Sequence, residues 1–394
     1  MPQEAEAIET GESLPPAPAP GLGSPLHRET IELTAAGYKG FWRHHRSKFF
    51  DHFRRVKLRF LLTQPHALRR LWNLARYVYE RKRNAHVHYM PILVAIDPSN
   101  ACNLRCPSCS TGVQHPEGRK RGLAPENLVH DLVEQVHTTA IQLSFFHWGE
   151  PYLNPRTHEY VRYAADKGLW TVLHSNLSLR NEQLGQQIVE SGLCQLVVSV
   201  DGLSQETYEQ YRVRGRVDLV FNHIRAIAET KRRTGSNFPF VTCKFIVFEH
   251  NWQEAIEFHQ AALDAGADEV LFIPGFRNGI YDTGRASDEI EFDIRTLEYR
   301  PRWLDWGCRD LWQSMIFDVD GAVFPCCDGF RERDLFATAE DIQTKSVREI
   351  WNSPKYVEAR EFFLRDTNLD ASHLPTPCDD CGRTLRHQAQ EKGV

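Results

Sequence analysis

From residue 91 onward, short apolar runs alternate with amphipathic stretches. The runs are Ile92–Ile96, Ile141–Phe146, Trp170–His174, Leu196–Val200, Val241–Phe248 and Val270–Ile273. Between them lie stretches such as Glu126–Val136, Arg156–Lys167, Asn181–Glu190 and Val217–Thr230, whose apolar positions recur at helical spacing. Six strands separated by helices predict an α/β fold with a parallel sheet and right-handed crossovers. Curled, such a sheet is a partial (β/α)6 barrel with its site at the carboxyl ends of the strands. Residues 90–275 are its expected extent.

The flanks follow other patterns. Residues 1–30 pass from acidic residues into Pro15-Pro16-Ala17-Pro18-Ala19-Pro20, too few apolar side chains to offset ordering entropy, so a disordered tail is expected. Residues 36–86 are rich in Arg, Lys and aromatics, and Leu68, Leu71, Trp72, Ala75, Val78 and Tyr79 recur at helical spacing. This predicts a basic helical extension with an amphipathic helix over 66–83. The stripe is no wider than a docked helix needs, so the expected arrangement lays it on the barrel with the charges in water. The alternative is a surface for anionic lipid or an acidic partner. Residues 276–307 carry turn signals and an acidic run, and read as a connecting segment. Residues 308–390 read as a small C-terminal domain. Phe317–Phe324 predicts a β-hairpin turning at Asp320-Gly321, followed by a short helix at Ser346–Trp351 and another from Pro354 to Leu364.

Composition narrows the class. A chain of 394 residues accommodates one barrel, a smaller domain and tails. Its 25% charged and 41% hydrophobic residues are ordinary for a soluble protein. The net charge of −5 gives no global pull toward nucleic acid, and the positive charge is confined to 36–86. No apolar run is long enough to span a bilayer, and no secretory signal is visible. Ten cysteines without an export signal point to metal or redox use and a cytoplasmic location.

Directly after the first apolar run stands Cys102-Asn103-Leu104-Arg105-Cys106-Pro107-Ser108-Cys109. Iron–sulfur cubes usually take four thiolates, so three in one loop leave one iron open to a ligand that is not protein. Zinc fits poorly, because it wants four ligands in paired knuckles and His115 is the lone nearby candidate. Three ordinary core cysteines fit poorly beside Asn100, Asn103 and Arg105. This triplet resembles the signature of the radical SAM superfamily, with Ser108 where the family has an aromatic. The resemblance implies a [4Fe–4S] cluster on Cys102, Cys106 and Cys109, whose open iron is chelated by S-adenosylmethionine (SAM). It implies reductive cleavage of SAM to a 5′-deoxyadenosyl radical that removes a substrate hydrogen.

The other strand ends extend the likeness. His147-Trp148-Gly149-Glu150-Pro151 resembles the family's Gly-Gly-Glu-Pro motif, which implies that Gly149 and Glu150 bind the SAM amino group. His174-Ser175-Asn176-Leu177 resembles a Thr-Asn-Gly turn, with Leu177 replacing the glycine. Ser199-Val200-Asp201-Gly202 and the following Arg212 resemble a Ser-x-Asp-Gly motif with a downstream arginine, with Arg214 a near rival. Asn176, Ser199 and Arg212 are thus implied SAM contacts; Arg212 has the fork a carboxylate needs.

A second cysteine group closes the chain: Cys308, Cys326-Cys327 and Cys378-Asp379-Asp380-Cys381. Two thiol pairs suit zinc as well as iron–sulfur. The form C-x12-G-x4-C with a distant C-x2-C, and Glu349-Ile350-Trp351, resemble the auxiliary-cluster domains called SPASM and twitch. The resemblance implies one auxiliary [4Fe–4S] cluster on Cys308, Cys326, Cys378 and Cys381, with Cys327 spare or replacing Cys326. Cys194 and Cys243 read as small buried hydrophobes. A cluster with four thiolates transfers electrons rather than binding substrate.

The expected function is therefore a radical SAM oxidoreductase that oxidises an alcohol of a sugar or cyclitol and passes an electron to the auxiliary cluster. The alternatives are a maturase acting on a peptide or protein, and a lipid-modifying or membrane-surface protein acting through residues 36–86. Expected partners are a small-molecule or peptide substrate and an electron donor such as flavodoxin or ferredoxin. The sequence singles out no general base; Asp318, Asp328 and Arg277 are polar residues near the expected cleft.

Overall fold

A computed structural model describes residues 56–281 and 308–364 with Cys378, apart from short gaps at 108, 114–118, 120, 249, 275, 278–279, 328 and 330–331. The expected tail, most of the connecting segment, Ser108, Asp328, Cys381 and the Arg277 side chain lie outside the described residues.

All six expected strands form: β1 Leu93–Ile96, β2 Gln142–Phe145, β3 Trp170–Ser175, β4 Gln195–Ser199, β5 Phe240–Val247 and β6 Glu269–Pro274. They pair in parallel in sequence order. Their near-continuous burial is what a sheet covered on both faces requires. The helices, in chain order, are α1 Ala67–Glu80, α2 Ser110–Val113, α3 Glu126–Val136, α4 Thr157–Asp166, α5 Leu184–Glu190, α6 Gln205–Tyr211, α7 Val217–Thr234 and α8 Ala255–Asp264. α7 buries Val217, Val220, Phe221, Ile224 and Ile227, the stripe its periodicity predicts, and stops at Gly235 in the left-handed conformation.

The sheet does not end at six strands. After a two-stranded ribbon, β7 Phe276–Arg277 and β8 Ile280–Tyr281, the C-terminal region supplies β9 Ser314–Phe317 and β10 Val323–Phe324. The order is β10-β9-β1-β2-β3-β4-β5-β6. β9 runs parallel to β1, with Leu93 opposite Ser314 and Ile96 opposite Phe317. The expected hairpin is present, turning through Gly321 at φ 93°. Its first strand also makes β1 an inner strand. α9 Asp310–Gln313, α10 Ala339–Thr344, α11 Val347–Trp351 and α12 Pro354–Leu364 complete the region. One hydrophobic cluster runs from Tyr77 through the barrel to Trp351, Tyr356 and Cys378.

α1 is turned over relative to the expectation. Leu68 is 83% exposed, Trp72 68%, Tyr79 67% and Val78 55%, so most of the apolar stripe faces away from the barrel. The inward face is Arg70, Asn73, Tyr77 and Glu80. The reason lies at the amino ends of the strands, where turn carbonyls leave the sheet without partners. Arg70 donates to the carbonyls of His137, Lys167 and Gly168. Asn73 brackets Met90, accepting from its N–H at 2.8 Å and donating to its carbonyl at 2.9 Å. Glu80 accepts the His88 N–H at 2.8 Å. A buried carbonyl without a donor costs more than an exposed leucine, and this decides which face turns inward.

Candidate active site

The loop after β1 carries Cys102, Cys106 and Cys109. Its shape is set by backbone bonds: the Arg105 N–H reaches the Val213 carbonyl (3.0 Å), and the Cys109 N–H reaches that of Cys106 (3.1 Å). Gly112 closes the loop against Cys106, where a Cβ would stand 2.7 Å from backbone. Leu104 anchors it in the interior. The Arg105 guanidinium folds back onto the carbonyls of Cys102 and Leu104. Burial pushes the Cys102 thiol up to about 12 and also raises Cys106, so each thiolate needs a positive counterpart.

After β2, the Glu150 carboxyl is 1% exposed. It accepts from the Tyr152 N–H (3.2 Å), the Ser175 hydroxyl (2.8 Å) and the Asn176 N–H (2.8 Å). Burial pushes it up to about 7 in spite of these donors, and no cation lies within ion-pair distance among the described residues. Gly149 sits on the Ser99 carbonyl so closely that a Cβ would be 1.6 Å from the oxygen, which explains the glycine. Asn176 follows β3; its amide donates to Asn103 (3.0 Å) and lies 3.8 Å from the Cys102 sulfur. Leu177 takes the left-handed conformation, φ 49°, that a glycine would take freely. Ser199 ends β4, buried.

Arg212 points into the site and Arg214 is exposed, which separates the two rivals. The Arg212 Nε donates to Asp201, and Nη1 lies 3.7 Å from the Cys106 sulfur. Two of its nitrogens are therefore engaged with protein, so it is less free a fork than its sequence position suggests.

Of one cluster at the same ends of β1, β2 and β9, sequence reasoning offered Asp318 alone. Asp97, His147, Arg119 and Asp318 are all buried. Arg119 pairs with Asp318 at 2.6 Å, and Asn100 donates to Asp318 at 3.2 Å. Asp97 accepts the Trp148 N–H at 3.0 Å, while its Oδ1 has no partner among the described residues. Burial, then the nearby Asp318, pushes Asp97 up to about 7. Burial and Arg119 hold His147 neutral, down to about 3. Asp97 was findable: it is the polar residue ending the first apolar run, where the strand-end rule applies. Of the three residues offered for the cleft, Asp318 alone is described, and it lies in this cluster.

Two cysteines of the second group, Cys326 and Cys378, lie near Tyr356. Cys308 and Cys378 are buried, Cys326 is half-buried and Cys327 exposed. The Tyr356 hydroxyl is raised by burial and by nearby Cys326 and Cys378. The loop bearing Cys326 and Cys327 is tied to the barrel mouth, because the Trp148 indole donates to the Gly329 carbonyl at 2.9 Å. Cys194 and Cys243 are core residues, as expected.

Two family models match the chain: the radical SAM superfamily over residues 96–242 and an iron–sulfur cluster-binding domain, SPASM, over 308–382. Residues 96–242 are a radical SAM domain, followed by a SPASM domain at 308–382. Among curated relatives, the AdoMet-dependent heme synthase of Methanosarcina barkeri is 27% identical over 54% of this chain and 57% of its own length. The PqqA peptide cyclase of Bradyrhizobium diazoefficiens is 24% identical over 48% of each chain. This radical SAM protein thus spans about half the length of these two relatives. In fold it is similar to Streptococcus suis SuiB bound to SAM, with a TM-score of 0.57 at 16% identity, covering 91% of this chain and 89% of that one.

A radical SAM protein with this C-terminal domain uses SAM, a [4Fe–4S] cluster and auxiliary iron–sulfur. The first cysteine loop fits such a cluster. Its donors are all soft sulfurs, and N–H groups from Asn176 and Arg212 point at two of them. No group of three Cys, His, Asp or Glu among the described residues could hold a single metal ion, and thiolates that each take a different iron need not converge on one point.

Proposed function

We propose that this protein is a radical SAM oxidoreductase that takes a hydrogen atom from a carbon of its substrate and delivers the remaining electron to an auxiliary cluster. One observation carries the reading: the cysteine loop, Glu150, Asn176 and Arg212 meet at the carboxyl ends of β1–β4, with N–H donors directed at sulfur. When bound, the cluster and SAM would supply the radical chemistry that removes a substrate hydrogen atom, and the auxiliary centre would supply an acceptor for the electron left once a base has taken the proton. Cys102, Cys106 and Cys109 hold the first cluster. Glu150, fixed by Ser175 and Asn176, faces the ammonium of SAM, and Gly149 lets the backbone approach. Arg212, held by Asp201, directs positive charge at Cys106 and offsets thiolate charge there. Cys308, Cys326, Cys378 and Cys381 hold the auxiliary cluster, and the Trp148–Gly329 bond keeps that loop beside the mouth.

The substrate in this reading is a sugar or cyclitol alcohol. The second reading is peptide maturation, favoured by the identity with a peptide cyclase. Anaerobic reconstitution followed by reduction tests the chemistry: SAM is expected to yield 5′-deoxyadenosine and methionine, and failure to do so overturns the reading. Wild-type protein should hold about eight irons and the Cys102/Cys106/Cys109→Ala variant about four. Zinc in the C-terminal group would recast it as structural. A perdeuterated substrate that passes deuterium into 5′-deoxyadenosine identifies the substrate class.

A further inference from the structure

α1 closes the amino ends of the strands, at the opposite end of the sheet from the cysteine loop. The face it leaves outside has an unusual chemistry. Leu68, Trp72, Val78 and Tyr79 are exposed there, and the preceding helical stretch at 56–63 adds Leu58 at 51% and Leu62 at 54% exposure. Interleaved with them are Arg59 and Arg69, both exposed, and the half-buried Arg76. No Asp or Glu occurs between His52 and Tyr79, in a chain whose net charge is −5. Glu80, which ends the helix, is turned inward onto His88.

Beside this face lies an open cavity of about 530 Å³, whose lining includes Leu68, Trp72, Arg69, Arg348 and Arg76, the last paired with Glu80 at 3.1 Å. Apolar side chains next to the guanidinium groups of Arg69 and Arg348 match an acyl chain joined to a phosphate. Arginine forks pair with phosphate oxygens, and their stems lie along the apolar surface.

We infer that the outward face of α1 and the 56–63 stretch form a docking surface for an anionic phospholipid bilayer. Charge complementarity selects this occupant. The face is cationic and apolar and bears no carboxylate, as a helix lying in an anionic interface requires. Trp72 and Tyr79 supply the amphipathic rings such interfaces hold. No helix among the described residues is long and apolar enough to cross a membrane, so the contact is peripheral. The geometry turns the carboxyl ends of the strands, with the cysteine loop, away from the bilayer. The membrane is thus an anchor for the protein, and SAM cleavage proceeds without it.

The test uses the full chain and vesicles of phosphatidylcholine alone or with phosphatidylglycerol, followed by flotation. Binding is expected to the anionic vesicles, to weaken as salt is raised, and to be slight on phosphatidylcholine alone. Leu68→Glu with Trp72→Glu should weaken binding about tenfold or more, and Arg69→Glu about fivefold or more. These side chains are exposed, so far-ultraviolet circular dichroism should be unchanged. SAM cleavage by the reconstituted double variant should match wild type, which keeps this test separate from that of the enzymatic reading. No binding to anionic vesicles at low salt overturns the inference, as does binding that survives the double substitution. A wild-type dimer in sedimentation that the double variant converts to monomer, without vesicle binding, would assign the face to a second copy of the chain and overturn it equally.

Discussion

At the amino ends of the strands, Arg70 is 1% exposed and each of its guanidinium nitrogens is bonded to a turn carbonyl. At the carboxyl ends, Glu150 is equally buried, accepts three bonds of the roughly four it can take, and has no cation within ion-pair distance among the described residues, with Arg212 acting on it from farther off. Asp97 has one oxygen without a hydrogen-bond partner among the described residues. Burial disfavours ionisation at both ends, lowering Arg70 to about 10 and raising Glu150 to about 7. The difference lies in the partners. Arg70 makes four bonds with its five N–H groups, every nitrogen reaching the protein's own backbone, and completes the fold. A buried carboxyl group with no paired cation among the described residues is arranged for something that is not protein.

Four experiments press on that contrast. The largest effect is expected at Glu150. If Glu150 faces the ammonium of SAM as proposed, Glu150→Ala removes a buried partner worth about 3–5 kcal/mol, and affinity should fall on the order of 10²–10³-fold by equilibrium dialysis. An unchanged affinity would place the ammonium elsewhere. Arg70→Met should act on the fold instead. It orphans the carbonyls of His137, Lys167 and Gly168 and should cost about 3 kcal/mol in denaturant unfolding, with SAM cleavage per folded molecule retained. Loss of SAM affinity in that variant would break the distinction.

Asp97 gives a pH signature. Its folded value, about 7, lies above its ordinary one, so the folded state keeps a proton that the unfolded chain gives up. Stability from this group is full below about pH 4 and is lost as pH rises toward 7, at about 1.4 kcal/mol per pH unit. Asp97→Asn keeps an acceptor for the Trp148 N–H and should remove that slope from guanidinium midpoints taken at pH 5, 6 and 7. Arg119, Asp318 and His147 share the pocket, and a slope that persists would assign it to them. The smallest effect is expected at Trp72→Ala: the ring is exposed, and stability should move by no more than about 0.5 kcal/mol.

The strands and most helices were legible because burial on both sides of the sheet leaves continuous apolar runs that no other element explains. The cysteine loop was legible because three thiols at that spacing have few other uses. α1 was misjudged because periodicity reports how wide an apolar face is and not what the opposite face must do. Arg70 was counted among the charges in water, and nothing local in the sequence says that turn carbonyls 67 to 98 residues away need donors. Asp97 and His147 were missed although each follows a strand, since attention went to the motif residues beside them. The partnership of β9 with β1 has no local signature, for it joins positions more than 200 residues apart.

That partnership limits how the protein can be divided. Because β1 is flanked by β9 in register from Leu93 to Ile96, a chain cut after residue 275 would bare the backbone of its first strand as a raw edge, inviting self-association. The C-terminal region is thus no detachable module. It cannot be exchanged for another without resealing the seam beside the strand that leads into the first cysteine loop.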